Sequence, residues 1–227
     1  MPDPFTLEGR NVHLIPLGPE HIDGLLEAAG RDRSTFAFTP VPWDRPSMTA
    51  YVERAMAERA SGDHYPFATW SVDSGRIVGS TRFYDLAVWD WSTTQYPRTG
   101  AQTGYDQAVE PKAPEPRSTT DGRQDVASIG YTWLHPSAQR TPINTEAKLM
   151  MLDHAFDHWG TLAVRIQTDA RNLRSRTAIA RLGFKLDGVL RADKPGADGT
   201  VRDSAVFSML ADEWPEHRNR LAAVLNG

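Results

Sequence analysis

Between residues 127 and 184 the chain reads strand, turn, helix, strand, turn, helix, and this stretch limits the fold more than any other. ASIGYTWL is a strand, HPSAQRTPIN a turn, and TEAKLMMLDHAFDHW a helix so apolar that it must be largely buried. AVRIQTDA alternates apolar and polar as a strand should, and SRTAIARLGF is a short helix stopped by Gly183. Strands linked through helices are βαβ crossovers, so at least part of the sheet is not built from hairpins.

The flanking segments read differently. Residues 11–17 (NVHLIPL) form a first strand, and HIDGLLEAAG a short helix with Ile22, Leu25, Leu26 and Ala29 on one stripe. Residues 31–46 are broken by Pro40, Pro42 and Pro46 and carry Phe36, Phe38 and Trp43, which makes a loop with an aromatic surface. Ser47 stands where an N-cap belongs, before the helix MTAYVERAMAERASG. Residues 66–72 and 76–84 form a hairpin around Ser74 and Gly75. KLDGVLRAD and TVRDSAVFSML form a last hairpin around PGADG, and the terminal helix is broken at Pro215. The order βααβββαβαββ mixes hairpins with crossovers, which predicts an α/β chain with a mixed sheet and helices on both faces.

At 227 residues with 40% hydrophobic content, the chain is expected to form one domain over 1–227. Residues 87–125 interrupt it: Trp89, Trp91, Tyr96 and Tyr105 lie among Pro, Gly, Thr and charges with no surviving period. So long an irregular insertion is functional or disordered, and its aromatics suit a lid or a homodimer contact.

Composition excludes several functions. Lys plus Arg is 25 against 29 for Asp plus Glu, a net charge of -4, so the basic surplus a nucleic-acid binder needs is missing. With no cysteine, disulfides, thiolate metal sites and a Cys nucleophile are ruled out. No basic segment precedes an apolar run at the N-terminus and no apolar stretch approaches ~18 residues, so no membrane partner and a cytoplasmic location are expected.

Two turns carry the chemistry. Gln139, Arg140, Thr141, Pro142, Ile143 and Asn144 join a strand end to a helix start, with Thr141 suited to the N-cap and Pro142 to the first helical position. The free N–H groups and positive helix end there suit an anion such as a pyrophosphate, although an ordinary capped helix would look the same. In TDARNLRSR, Asn172 and Ser175 open the next helix and could hold a ligand, or either could simply cap that helix. In TVRDSAVFSML, period two places Asp203 with Val201, Ala205, Phe207 and Met209 on an apolar face, so it is a candidate base or the partner of an ion pair, for instance with Arg191. Asp193 near the hairpin tip is a second candidate, or merely solvated; His135 could simply finish its strand. His154 and His158 stand four apart beside Asp153 and Asp157, but with no HExxH glutamate and no third ligand they read as a solvated helix face.

Together, SIGYTWLHPSAQRTPINTEAKLMMLDHAF and TDARNLRSRTAIARLGF resemble the GNAT superfamily of acyl-CoA-dependent N-acetyltransferases, in its RimJ/RimL branch. LEGRNVHLIPL, IVGSTRF and RDSAVFSMLADEWP extend the resemblance over residues 9–215, apart from the insertion. It implies a mostly antiparallel sheet splayed between the fourth and fifth strands, with Trp133 and Leu134 beside the thioester. It also implies acetyl-CoA as co-substrate, no metal, and a CoA site made of Trp133, Leu134, Gln139, Arg140, Thr141, Ile143, Asn144, Asn172 and Ser175. The family loop Gln/Arg-x-x-Gly-x-Gly/Ala is altered here, since Pro142 replaces its middle Gly and Asn144 its last small residue. Where many relatives carry a Tyr that protonates the leaving thiolate, this chain has Ile179, and Ser175 matches the serine suggested in its place.

The implied reaction is direct attack by a primary amine: a protein N-terminus, an amino acid or an amine-bearing small molecule. An α-amine, neutral at about 10% at pH 7, needs little help from a base such as Asp203. Phe36, Phe38, Trp43 and Asp193, with the hairpin at 193–202, are the expected acceptor pocket. Rival expectations are a non-catalytic acyl-CoA-binding module, a longer donor such as succinyl-CoA, and a metal hydrolase using the histidine pair.

Overall fold

The computed structural model describes residues 4–89 and 124–227, so Trp91, Tyr96 and Tyr105 of the insertion lie outside the described residues. In chain order the elements are β1 (Leu7–Glu8), β2 (Val12–Pro16), α1 (Ile22–Ala29), α2 (Arg45–Ala60), β3 (Tyr65–Ser71) and β4 (Arg76–Ala87). After them come β5 (Val126–Leu134), α3 (Pro142–Asp153), β6 (Ala163–Asp169), α4 (Leu173–Leu182), β7 (Lys185–Pro195), β8 (Val201–Leu210) and α5 (Trp214–Asn226). A π-helical turn, His154–His158, prolongs α3.

The strands form one eight-stranded sheet in the order β1-β2-β3-β4-β5-β6-β8-β7. Its pairs are antiparallel except β5 with β6, which the buried α3 connects as a crossover must. The mixed sheet and mostly antiparallel pairing agree with the expectation. The two-residue β1 was not foreseen, being too short to show a period.

Neighbouring residues on a strand point to opposite faces, and here they divide between two cores. Phe67, Val78 and Leu134 join a core with α3, α4 and α5. Ala68, Ile77 and Trp133 join a second core with α1 and α2. Helices therefore cover both faces.

Two helix boundaries correct the sequence reading, and both errors came from a proline. α2 starts at Arg45, not after Ser47, because Pro46 lies in the first turn, where no N–H is needed. Asp44 is the cap, accepting from Ser47 N at 2.8 Å, while Ser47 is the third residue of a capping box. Likewise α5 is not broken at Pro215 but begins there, at Trp214.

The feature that makes a site is a split in the sheet. β5 and β6 pair over only Val126↔Ala163, Ala127↔Val164 and Ser128↔Arg165. Beyond Ser128, β5 stays with β4 as far as Leu134, and β6 stays with β8 as far as Asp169. A bulge lies on the unpaired stretch, three residues past Ser128: β5 takes an extra residue opposite Ser80–Arg82, and Tyr131 there has φ 52°. Gly79 keeps β4 and β5 together above it, since a Cβ at Gly79 would stand 2.0 Å from the Trp133 carbonyl oxygen.

Candidate active site

Past the split, the edge of β5 that faces β6 has no strand partner among the described residues, and its backbone donors and acceptors open into a wedge. Both helix N-termini foreseen from the sequence flank this wedge. At the first, the His135 ring accepts from Ser137 N at 3.1 Å and its backbone N–H donates to Val78, so His135 does finish the strand. Arg140 has φ 60°, which turns the chain into α3. Thr141 caps that helix: its Oγ1 accepts from Ile143 N at 3.4 Å and donates to Ala138 O at 2.7 Å. The first-turn amides that follow have no intrahelical acceptor.

At the second N-terminus, Asn172 Oδ1 accepts from Ser175 N at 3.0 Å. Because that partner is a donor, the amide oxygen must face it, and the two Nδ2 donors of Asn172 point elsewhere. This resolves which residue caps α4. Asn172 does, and the Ser175 hydroxyl has no hydrogen bond among the described residues.

A cleft of ≈ 310 Å³ joins the two. Its apolar wall includes Phe36, Trp133, Leu134 and Ala178, and its polar wall Gln139, Thr141, Asn144, Asn172 and Ser175. Arg140, Arg174 and Arg181 also line it, and among the described residues no carboxylate does. The Trp133 indole N–H is buried with no partner among the described residues. Gln139 braces the mouth, donating to Leu134 O at 2.9 Å and Thr35 Oγ1 at 3.2 Å while accepting from Arg174 at 3.3 Å.

Five expected site residues lie elsewhere. Ile143 turns its side chain into the core, and its N–H is spent on the cap. Phe38 lies beneath the Arg171 guanidinium, 5.2 Å from its ring centre, and Trp43 is 74% exposed at the start of α2. Asp193 accepts from Ser204 Oγ at 2.6 Å, a bond that lowers its pKa. Asp203 is not on a buried face: the apolar stripe of β8 ends at Ala205, and Asp203 is exposed beyond it. Its carboxylate accepts from Ala192 N at 2.8 Å, where β7 bulges and Ala192 has φ 49°, a bond to backbone in place of the expected pair with Arg191.

The histidine pair also departs from expectation. His154 stacks on Phe5 at 4.1 Å and meets Trp159 edge-on at 4.6 Å, so it belongs to an aromatic cluster, not a solvated face. Burial, aided by the neighbouring His158, pushes its pKa down to about 4. Among the described residues no group of three or more His, Asp or Glu is placed to hold a metal.

Two buried cations escaped the sequence reading. Arg82, 1% exposed on the α2 face, donates to Glu58 at 2.7 Å and stacks 4.1 Å from the Tyr131 ring centre, which props the bulge. Lys148, 4% exposed on α3, reaches Thr81 Oγ1 and Thr132 Oγ1, each at 2.9 Å. Desolvation, with no carboxylate partner among the described residues, brings its pKa down to about 7. Position on α3 would have flagged Lys148, which shares a stripe with Ala147 and Met151, whereas period two on β4 sets Arg82 beside Arg76 and Ser80 and gives no such signal.

The cleft suits a CoA thioester: three guanidiniums and two helix N-termini for phosphates, and an apolar slot reaching the strand split. The comparisons agree. The family model for the acetyltransferase (GNAT) domain matches residues 11–185. A GCN5-related N-acetyltransferase from Brucella melitensis superimposes with TM-score 0.75 at 25% identity, over 99% of this chain and 86% of that one. A T. thermophilus protein assigned provisionally as an acetyltransferase gives 0.72 at 27% identity, covering 99% of each chain. Mycobacterium smegmatis RimJ, solved with CoA-disulfide, has the same fold at 0.69 and 21% identity, over 94% of this chain and 88% of that one. No curated protein sequence matches. With a family model spanning most of the chain and a split-sheet cleft built for a CoA thioester, the chain belongs to the GNAT family of acyl-CoA-dependent acetyltransferases.

Proposed function

We propose that the protein moves an acetyl group from acetyl-CoA to an α-amine, by direct attack in the β5–β6 split. The observation that carries this reading is the division of labour at α4: Asn172 caps the helix, and the Ser175 hydroxyl, in the cleft, has no hydrogen bond among the described residues. Acetyl-CoA supplies an activated acyl carbon and a thiolate leaving group. Arg140, Arg174 and the α3 N-terminus hold its phosphates, and Asn172 Nδ2 donates along the slot. Unpaired N–H groups of β5 near Trp133 and Leu134 receive the negative charge that develops on the acyl oxygen. Ser175 Oγ donates to the sulfur as charge builds there. A serine is too weak an acid to surrender its proton outright, so this bond stabilises charge and does not complete a transfer.

Phe36 closes the slot edge-on to Trp133, with ring centres 6.1 Å apart, and forms the acceptor side together with the loop that follows it. The resemblance to the RimJ/RimL branch favours an N-terminal amine, which is already partly neutral at pH 7. The test is CoA release with a panel of tripeptides, free amino acids and small amines, run with acetyl-CoA and succinyl-CoA in parallel. Fastest release with an α-amine and acetyl-CoA is expected. CoA binding without release from any amine would replace this reading with a non-catalytic acyl-CoA-binding module.

A further inference from the structure

Lys148 is the group that the reaction so far leaves unused. Its Nζ forms a closed triangle with Thr81 Oγ1 and Thr132 Oγ1, at 2.9, 2.9 and 2.8 Å. Thr81 is buried, whereas Thr132 lines the cleft beside Trp133. A neutral amine has two N–H donors and one lone pair, and each hydroxyl has one donor. Lys148 can donate to both hydroxyls; with the amine neutral, the three edges can also close as a directed ring, Lys148 donating to Thr81, Thr81 to Thr132, and Thr132 to the lysine lone pair. In that ring the Thr132 oxygen keeps an acceptor site.

We propose that Thr132 and Lys148 form a proton relay that takes the proton from the incoming ammonium at the split in the sheet. The proposal rests on the acetyl-transfer reading above. Thr132 Oγ accepts a proton from the substrate ammonium while its own proton passes to the Lys148 lone pair. The amine nitrogen, now neutral, bonds to the acyl carbon, and the carbon–sulfur pair leaves on sulfur next to the Ser175 hydroxyl. The second nitrogen proton goes to that thiolate, giving the amide and CoA thiol. Lys148 then returns its proton to solvent through Thr132, so one proton is released per turnover.

The surroundings leave Lys148 free for this work. Its lowered pKa has desolvation as its cause, with no charged neighbour contributing. On α3, Glu146 accepts from Arg10 N and Asn11 N, and Asp153 pairs with Arg218, which comes from α5. On β1 and β2, Glu8 is exposed and His13 half-buried. On β4, Arg82 turns to Glu58 on the opposite face, and on β5 Tyr131 stacks over Arg82. Met151 Sδ lies 4.0 Å from Nζ.

Two measurements test the relay. The chain has four lysines, Lys112, Lys148, Lys185 and Lys194, so an NMR titration with isotope-labelled lysine resolves each. One signal should titrate near neutral pH, vanish in Lys148→Met and move in Thr132→Val. A Lys148 midpoint at the ordinary lysine value overturns the proposal, whatever the activity. The second measurement is the pH profile of kcat/KM, using Ala-Ala-Ala first and otherwise the fastest amine of the panel. Lys148→Met and Thr132→Val should lose about 10-fold near pH 7 and recover toward wild type above pH ~8, where an α-amine is already neutral. Thr132→Ser should stay near wild type throughout. A loss independent of pH would mark Lys148 as structural and refute the relay. No CoA release by the wild type would instead sink the acetyl-transfer reading, and the relay with it.

Discussion

Replacing Ser175 with alanine separates chemistry from folding at the cleft. In the structure the backbone N–H of Ser175 holds the α4 cap, at 3.0 Å from Asn172 Oδ1, and alanine keeps that N–H. The hydroxyl has no protein partner among the described residues, so its removal breaks nothing in the free enzyme. Alanine is also the better helix former, by a few tenths of a kcal/mol. Stability should therefore change by less than ~0.5 kcal/mol. A hydrogen bond to a developing charge contributes about 1.5–3 kcal/mol. If it forms on sulfur as the thiolate departs, single-turnover transfer should slow by roughly 10- to 150-fold. The bond is weaker in the bound thioester than in the transition state, so acetyl-CoA affinity should stay within a few-fold. The assay pairs a melting curve with single-turnover CoA release on the same preparation. Normal turnover refutes the role assigned to the hydroxyl. A lowered melting point would show in addition that the cap has been misassigned.

Asn172→Ala removes both the cap and the Nδ2 donors. It should cost ~1 kcal/mol, about 2–4 °C in melting temperature, and shrink the stabilisation by saturating CoA, which differential scanning fluorimetry reads directly. Glu146→Ala leaves Arg10 N and Asn11 N without their acceptor, at 2.9 and 2.6 Å, and should cost roughly 1.5–3 kcal/mol in a urea melt with CoA binding unchanged. His154 has a folded pKa of about 4, below the ordinary value of 6.5, so the unfolded chain binds the extra proton between those limits. Stability should then fall as pH drops through that window, and His154→Phe should flatten the fall. Lys148, at about 7 when folded, gives the alkaline counterpart: between pH 7 and ~10.5 the unfolded chain holds the extra proton, so wild-type stability should gain on Lys148→Met as pH rises.

Most of the fold was legible because its signals are local. The alternation in AVRIQTDA, the stop at Gly183 and the Thr141-Pro142 start of α3 are each decided within a few residues. The two helix N-termini that flank the cleft were legible for the same reason, since they announce themselves by their caps. The errors arose where a local signal has two readings. Pro46 and Pro215 looked like breakers but sit in first turns, where proline costs no hydrogen bond. Period two assigns Asp203 a face but cannot say where along the strand the covering core ends, and it ends at Ala205.

Lys148 was harder to see for a different reason. Asn144, Ala147, Lys148 and Met151 share one stripe of α3, and that stripe starts in the cleft and ends in the core. Read for apolar content, α3 is a buried helix with one lysine, and a lysine on a helix is ordinarily a solvated face. Read for position, the stripe forces that lysine inward, one turn below a residue that lines the cleft. A buried ammonium without a carboxylate is costly, so the group must lose its charge or find acceptors. What the pattern could not reveal was which acceptors those are. They come from β4 and β5, where Thr81 and Thr132 lie 51 residues apart in sequence and 2.8 Å apart in space. The bulge at Tyr131 sets the register that brings them together, and the same bulge lies on the stretch of β5 that lines the split, where the proposed transfer takes place. In the proposed reaction, one irregularity in β5 thus bears on both the reacting position and its route for protons. Removing it, for example by deleting Tyr131, should disturb both at once: the Lys148 titration should move toward the ordinary lysine value, and CoA release should be lost. A deletion that abolished release while leaving the lysine titration untouched would show that the two are not built on the same element.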